Sequence, residues 1–432
     1  MRRLYHYFLA ILSYWFYGRP SRKLVVVGVT GTKGKSTTCR LIASVLEAGG
    51  YRVGLLSTAE FQIGEKRWLN IRKMTMLGRG EIHKMLKEMV SARCQYAVVE
   101  TSSEGILQYR HLGLNYDIAV FTNLGTEHSE RHGGFDNLKK AKGRMFAQLS
   151  KHSKIINGQK IKKVIVANGD DENAQYYLDF KADEKLVLQL NKQTIDNSKQ
   201  DSLGTLGVTC YVLRDTGSEF DLENKKYTVN LPGKFNIYNA LSALAVGKSQ
   251  NISDEKIALG LAKVDLVPGR MEFINEGQNF KVIVDYAHEP LSLTELFTTL
   301  RNMLAPGAKL IGVVGSDGGG RDVGKRAKMG EIAGRFCDTV VITDVNCFDE
   351  DPKEIAEMLA VGARAAGKKD NENLFIEIDR KEGIKKAIAL AKEKDIVVIT
   401  AKGTEPCIVD HGKKIPWDDR VVAREIIREQ KN

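Results

Sequence analysis

Cysteine is scarce in this chain and never grouped. The six residues, Cys39, Cys94, Cys210, Cys337, Cys347 and Cys407, include no CxxC pair, which excludes a disulfide framework or a thiolate zinc knot and points to a reducing cytoplasm. Long apolar runs are missing too. Leu4–Tyr17, LYHYFLAILSYWFY, is apolar and aromatic but falls short of the ~20 residues that span a bilayer. It has no small-residue cleavage site and a strand follows it at once, so it does not read as a signal peptide. Acid is absent from the N-terminal region. Arg2, Arg3, Arg19, Arg22 and Lys23 all precede the first carboxylate, Glu47. Fixed-period repeats and low-complexity tracts are likewise lacking.

What is present reads as globular protein. At 432 residues, with 43% hydrophobic and 28% charged residues, the chain is expected to fold as two or three domains of about 100–200 residues. A formal charge of +11 suits a protein that handles anions and does not by itself choose among nucleotides, lipids and nucleic acid. From Leu24 onward, short β-branched runs alternate with helical stretches, the pattern of a mostly parallel sheet covered by helices. Leu24–Val29, Tyr96–Glu100, Asp117–Thr122 and Lys163–Asn168 read as buried strands. Asn191–Gly204 reads as a surface loop ahead of a β-rich stretch, Gly207–Leu231. A second α/β series follows Val267, with strands in KVIVDY, KLIGVVG, TVVITD and DIVVIT. The fold class is therefore α/β, with an N-terminal helical segment 1–22, a first domain 23–267 and a second 268–432. The N-terminal segment fits equally a helix packed into its own protein and a helix lying on a membrane surface.

Chemistry concentrates in strings that follow strand ends. GVTGTKGKSTT, Gly28–Thr38, lies between a strand and the helical run CRLIASVLEA. It holds the short pattern GxxGK[ST] rather than a full Walker A. Such glycines let backbone amides approach phosphate oxygens, the helix start adds partial positive charge, Lys35 can reach terminal phosphates and Ser36 can hold Mg²⁺. A plain glycine turn at a helix start is the competing reading. In ETSSEGILQYR, Glu100–Arg110, a carboxylate sits at the carboxyl edge of the sheet, where ligands of open α/β sheets bind. FTNLGTEHSERHGGFDNLKKAK, Phe121–Lys142, clusters Glu127, His128 and His132 past another strand, which favours a metal and phosphate site over isolated structural histidines. LPGKFNIYNALSA (Leu231–Ala243), VPGRME (Val267–Glu272) and VDYAHEP (Val284–Pro290) carry turn residues that would each pass singly as caps.

Taken in order, from about Lys23 to Arg428, these strings resemble the Mur ligase superfamily, most closely its UDP-N-acetylmuramoyl-tripeptide synthetase (MurE) branch. The resemblance implies a central P-loop ATPase domain with a parallel sheet, a C-terminal Rossmann-like α/β domain, and an active site between them. It implies an ATP-dependent ligase that activates a carboxylate as an acyl phosphate and couples it to an amine. Motif by motif, Gly31, Thr32, Lys33, Gly34, Lys35, Ser36 and Thr37 would form the phosphate loop. Ser36, Glu100 and His128 would hold Mg²⁺, two ions in all. Asn239 resembles the adenine-binding asparagine, Arg270 the nucleotide-binding arginine and Asp285 the acid of the DYAH motif. Ser102, Gln108 and Arg110 match residues that hold the muramoyl peptide, and Thr75 stands where that branch has a TTP loop, here TML. Lys142 matches a carbamylated lysine. Asn346, and Lys402, Gly403 and Glu405 of AKGTEP, match loops that meet the incoming amino acid.

The sequence departs from that branch in three places. The phosphate loop begins at Gly28, so the uridine-nucleotide domain is expected to be absent, its place taken by the short aromatic segment. Glu104 replaces the usual histidine of the ETSSEG string. The DNPR motif that reads diaminopimelate is VNCF here, Val345–Phe348, without its arginine. The expected partners are a small-molecule or lipid-linked peptide and an amino acid, with no nucleic acid, possible membrane-surface contact through residues 1–23, and a monomeric chain in the cytoplasm or at the inner membrane face. Two alternatives stand: a folylpolyglutamate-synthetase-like or polyglutamate ligase, and, from another class, a Mur-like ATP-binding subunit of an amidotransferase complex.

Overall fold

The computed structural model describes residues 2–72, 74–78, 80–125, 132–190, 203–320 and 323–430. Its contacts divide the chain into two compact units, Met1–Asp265 and Leu266–Asn432.

The first unit is built on a nine-stranded sheet. Its strands are β1 (Val25–Thr30), β2 (Val53–Leu56), β3 (Glu60–Ile63), β4 (Lys66–Leu69), β5 (Tyr96–Glu100) and β6 (Ile118–Phe121), then, past a small β7–β8 hairpin (Ile155–Ile156, Gln159–Lys160), β9 (Val164–Asn168), β10 (Glu184–Gln189) and β11 (Leu203–Gly207). The order is β11-β10-β9-β6-β1-β5-β2-β3-β4. Pairing is parallel from β11 to β2 and antiparallel across β2–β3–β4. β1 is buried along its whole length, as a strand covered by helices on both faces must be. Because β5 and β6 flank it on opposite sides, the chain changes direction at β1, and ligands of open α/β sheets bind outside such a switch point. Val29 lies beside Glu100 in register, and Thr30 beside Phe121. Three loops therefore leave the sheet side by side.

Two details differ from the sequence reading. The antiparallel edge β2–β3–β4 was not expected, since strands of four residues, the last of them opening on Lys66 and Arg67, carry too little periodicity to register. Of the expected loop Asn191–Gly204, residues 191–202 lie outside the described residues, while Leu203 and Gly204 open β11, paired with Lys185 and Leu186. An edge strand needs little apolar content, and here Leu206 alone is fully buried. A three-stranded antiparallel sheet, β12 (Cys210–Arg214), β13 (Gly217–Leu222) and β14 (Lys225–Val229), follows.

Below the sheet, Asp117 is fully buried and accepts from the Val26 amide at 2.9 Å, the Lys163 ammonium at 2.7 Å and the Lys154 ammonium. Burial pushes Lys154 down to about 8 although Asp117 pulls the other way.

The N-terminal segment forms helix α1 (Arg2–Phe16). One face is packed: Ala10 is buried, the Tyr14 hydroxyl accepts from Asn115 at 3.0 Å, and the Tyr14 ring lies 5.7 Å from His83. The other face is exposed.

His83, in helix α3 (Glu81–Ser91), and His111 are buried, and burial pushes each down to about 4. An unfolded chain, whose histidines titrate near 6.5, takes up these protons first. Their contribution is therefore complete above about pH 6.5 and lost as pH falls toward 4, at about 3 kcal/mol each. The thermal midpoint is expected to drop between pH 7 and pH 5, and His83→Phe with His111→Phe to flatten that slope. An unchanged slope in the double variant would show that other groups set the acid limit.

The second unit holds a six-stranded sheet of β15 (Glu272–Ile274), β16 (Lys281–Val284), β17 (Leu310–Val314), β18 (Thr339–Ile342), β19 (Leu374–Ile376) and β20 (Ile396–Ile399). The order is β15-β16-β20-β17-β18-β19, with only β15 antiparallel. A hairpin, β21 (Cys407–Asp410) and β22 (Lys413–Pro416), comes after it. Its core includes a closed ion pair between Arg380 and Asp419 at 2.7 Å, in which Asp419 also accepts from the Trp417 indole.

Candidate active site

The loop after β1 runs directly into helix α2 (Lys35–Ala48). Gly34, at φ 79°, turns the chain into a 14-residue helix with no side chain capping it, and the amides at the start of such a helix point toward where an anion binds. The loop is held from behind. The Asn123 side chain accepts from the Lys33 amide at 2.8 Å, Thr122 donates to the Lys33 carbonyl at 2.7 Å, and the Asn123 carbonyl accepts from the Thr32 amide at 2.9 Å. Glycine is required sterically: a Cβ on Gly31 would lie 1.9 Å from the Thr122 hydroxyl, and one on Gly34 2.4 Å from Asn239 Oδ1. The Lys35 ammonium donates to the Thr32 carbonyl at 2.9 Å. From helix Phe135–Phe146, the Lys142 ammonium, 4% exposed, donates to the Gly31 carbonyl at 2.8 Å.

Glu100 ends β5 and is 2% exposed. Its Oε2 accepts from the Ser36 hydroxyl at 2.8 Å and the Thr58 amide at 2.7 Å, and its Oε1 from the Thr58 hydroxyl at 2.8 Å. The Thr58 and Thr75 hydroxyls are 3.0 Å apart, and with the single Thr58 proton given to Glu100, Thr75 donates to Thr58. Ser36, Glu100 and Thr75 are thus brought together with Thr58, which the sequence reading did not single out. Thr122 and Asn123 were missed as well, and in all three cases the only available signal was position, directly after a parallel strand.

Other candidates have structural work of their own. Asn239, in the buried helix Lys234–Ser249, accepts from Thr38 at 3.0 Å and donates to Asn236 at 2.8 Å, so it braces the start of α2. The Ser102 hydroxyl accepts from the Gly105 amide and caps α4 (Ser103–Leu107). Arg110 donates to Gln108 at 2.5 Å and to the Met76 carbonyl at 2.6 Å. Glu127 and His128 lie outside the described residues.

In the second unit Lys402 is fully buried, with its ammonium 2.9 Å from the Cys407 carbonyl, 3.0 Å from Glu405 and 3.2 Å from Asn346 Oδ1. Asn346 donates to Asp317 at 2.7 Å. Gly403, at φ 53°, lies so close to Gly269 that a Cβ on the latter would meet its carbonyl carbon at 2.6 Å. The Arg270 guanidinium stacks 4.4 Å from the centre of the Tyr286 ring, and Asp285 accepts from the Met271 and Ala287 amides, both at 2.7 Å.

Hard oxygen donors buried at the mouth of a phosphate loop suit a nucleoside triphosphate with its divalent cation, and this places the first unit among the phosphate-loop nucleotide-binding domains. Comparison with known proteins carries this further. The model of the Mur ligase middle domain matches residues 29–247, and that of the "Mur ligase, glutamate ligase domain" matches 269–403. A UDP-N-acetylmuramyl-tripeptide synthetase of Roseiflexus sp. (strain RS-1) is 37% identical over 425 residues, 98% of this chain and 82% of that protein. A solved UDP-N-acetylmuramoyl-L-alanyl-D-glutamate--2,6-diaminopimelate ligase is 28% identical with a TM-score of 0.60, over 95% of this chain and 79% of that one. Mycobacterium tuberculosis folylpolyglutamate synthase complexed with ADP, 17% identical with a TM-score of 0.66 over 91% of each chain, shares the fold. The chain belongs to the Mur ligase family. It is an ATP-dependent, ADP-forming amide ligase that uses ATP and Mg²⁺.

Proposed function

We propose that this ligase adds an amino acid to the free carboxylate of a muramoyl-peptide-like substrate, as a monomer in the cytoplasm. The observation that carries the chemistry is the buried Glu100 carboxylate joined to Ser36 at the phosphate loop. Similarity along nearly the whole chain to a tripeptide synthetase supports the substrate class.

The loop amides and Lys35 hold the triphosphate while its γ-phosphoryl passes to the substrate carboxylate. Oxygen ligands from Ser36 and Glu100, with His128 as a further ligand, would hold two Mg²⁺ ions, which neutralise charge on the crowded oxygens. Asn239 serves the nucleotide by bracing the loop, and Arg270 and Asp285 belong to the nucleotide-binding residues of the second unit. An uncharged amine then attacks the acyl carbon, forming the C–N bond as phosphate leaves with the C–O electron pair, and the amine nitrogen gives up one proton, which the departing phosphate can take. Thr75, Ser102, Gln108 and Arg110 are assigned to the acyl substrate. Asn346, Lys402, Gly403 and Glu405 are assigned to the incoming amino acid. We assign Lys142 a carbamate, formed when its neutral amine adds to CO₂ and releases a proton. That exchanges a buried cation for an anion able to position Mg²⁺.

The amine is not diaminopimelate on this reading, because Phe348 stands where that specificity calls for a guanidinium to pair bidentately with a carboxylate. A substrate screen by mass spectrometry, pairing muramoyl peptides and folates with an amino-acid panel, tests both statements. Product from a muramoyl peptide and a neutral or singly carboxylated amino acid is expected. Product only from folate would move the chain to the folylpolyglutamate-type reading, and diaminopimelate outperforming lysine and small amino acids would refute the specificity assignment. ATP hydrolysis indifferent to both substrates would favour the amidotransferase-subunit reading.

A further inference from the structure

Helix α1 is two-sided in a way its own protein leaves unexplained. Ala10 and Tyr14 face inward. Tyr5, Phe8, Leu12, Trp15 and Phe16 are 54–77% exposed. At 100° per residue these five fall within an arc of about 100°, opposite Ala10 and Tyr14. Five large apolar side chains on one exposed helical arc form a contiguous patch, unlike the scattered apolar residues normal on a protein surface. Basic residues flank it in the sequence. Arg2 and Arg3 begin the helix, Arg19 lies 4.5 Å over the Trp15 ring, and Arg22 and Lys23 follow, with no carboxylate in the sequence before Glu47. At the C-terminal end a cavity of about 280 Å³ is lined by Phe16, Tyr17, Lys23 and, from α3, Lys87. Apolar rings over an opening flanked by two ammonium groups match a bilayer interface, where acyl chains lie below and phosphate headgroups above. No described helix is long and apolar enough to cross a membrane.

We infer that α1 docks the ligase flat on an anionic lipid bilayer, inserting Phe8, Leu12, Trp15 and Phe16 and receiving lipid phosphate between Lys23 and Lys87. Apolar burial and charge attraction act together at such a surface, so loss of either weakens binding. The inference goes beyond the ligase reading and does not depend on its substrate.

The full chain is tested by flotation with vesicles of phosphatidylcholine containing phosphatidylglycerol, against vesicles of phosphatidylcholine alone. Binding to the anionic vesicles is expected, roughly tenfold or more weaker on neutral ones, and similarly weakened by Phe8→Ser/Leu12→Ser/Trp15→Ser and independently by Lys23→Glu/Lys87→Glu. Both variants should keep the wild-type thermal midpoint, since each changes exposed positions. Brominated lipid should quench the fluorescence lost in Trp15→Phe. Failure of the wild-type chain to float, or flotation indifferent to both variants, overturns the proposal. So does a wild-type dimer in sedimentation that the serine variant abolishes without any vesicle binding, which would assign the face to a second copy.

Discussion

Lys142→Ala is expected to lower the ligation rate by roughly 100-fold or more, on the scale of losing one preorganised charged group from an active site, and short carboxylates such as propionate are expected to restore part of it. The side chain is buried against the Gly31 carbonyl, so truncation opens a space beside the phosphate loop that a small anion can enter. The choice of rescuing agent discriminates between roles. If Lys142 works as an ammonium that steadies the loop, methylamine should rescue and propionate should not; if it works as a carbamate, the order reverses. Wild-type protein equilibrated with ¹³CO₂ should also show a carbamate carbon resonance that is missing from the variant. Full activity in Lys142→Ala, or rescue by amines alone, would remove the carbamate from the mechanism.

Glu100→Gln is expected to cut kcat by about 10³-fold, near the upper end for loss of one electrostatic element in a water-poor site. The substitution preserves shape and removes charge. It also turns an amide donor toward Ser36 or Thr58, each of which donates to Glu100, so the network is left with facing donors. Nucleotide affinity without Mg²⁺ should change little, because the loop amides and Lys35 are untouched, whereas the Mg²⁺ concentration for half-maximal rate should rise. Calorimetry of ADP binding with and without Mg²⁺ separates the two. A variant with wild-type rate and wild-type Mg²⁺ dependence would make Glu100 a structural acceptor for the loop.

Much of the site was legible because β1, β5 and β6 are buried on both faces, and such strands announce themselves as continuous apolar runs ending in polar strings. The parallel arrangement then places those strings together, and Gly31–Ser36, Glu100 and Thr122–Asn123 do share one edge. Thr58 was not legible. It lies 42 positions from Glu100 in an ordinary string, LLSTAE, and only the sheet order makes it a neighbour. Asn239 could be associated with nucleotide by resemblance, but its brace to Thr38, 201 positions away, follows from how two helices pack. Helix α1 was ambiguous for a physical reason: aromatics occupy all its sides, and which side is inward is decided by Asn115 and His83, which belong to other elements.

Transfer of oxygen from the substrate carboxylate to phosphate tests the central claim most directly. With the muramoyl-peptide carboxylate labelled with ¹⁸O, and ATP, Mg²⁺ and the amine supplied, activation through an acyl phosphate leaves one labelled oxygen in the inorganic phosphate released with each amide bond formed. Mass spectrometry of that phosphate should find label in proportion to product. Unlabelled phosphate alongside amide product, or label recovered in AMP, would contradict it.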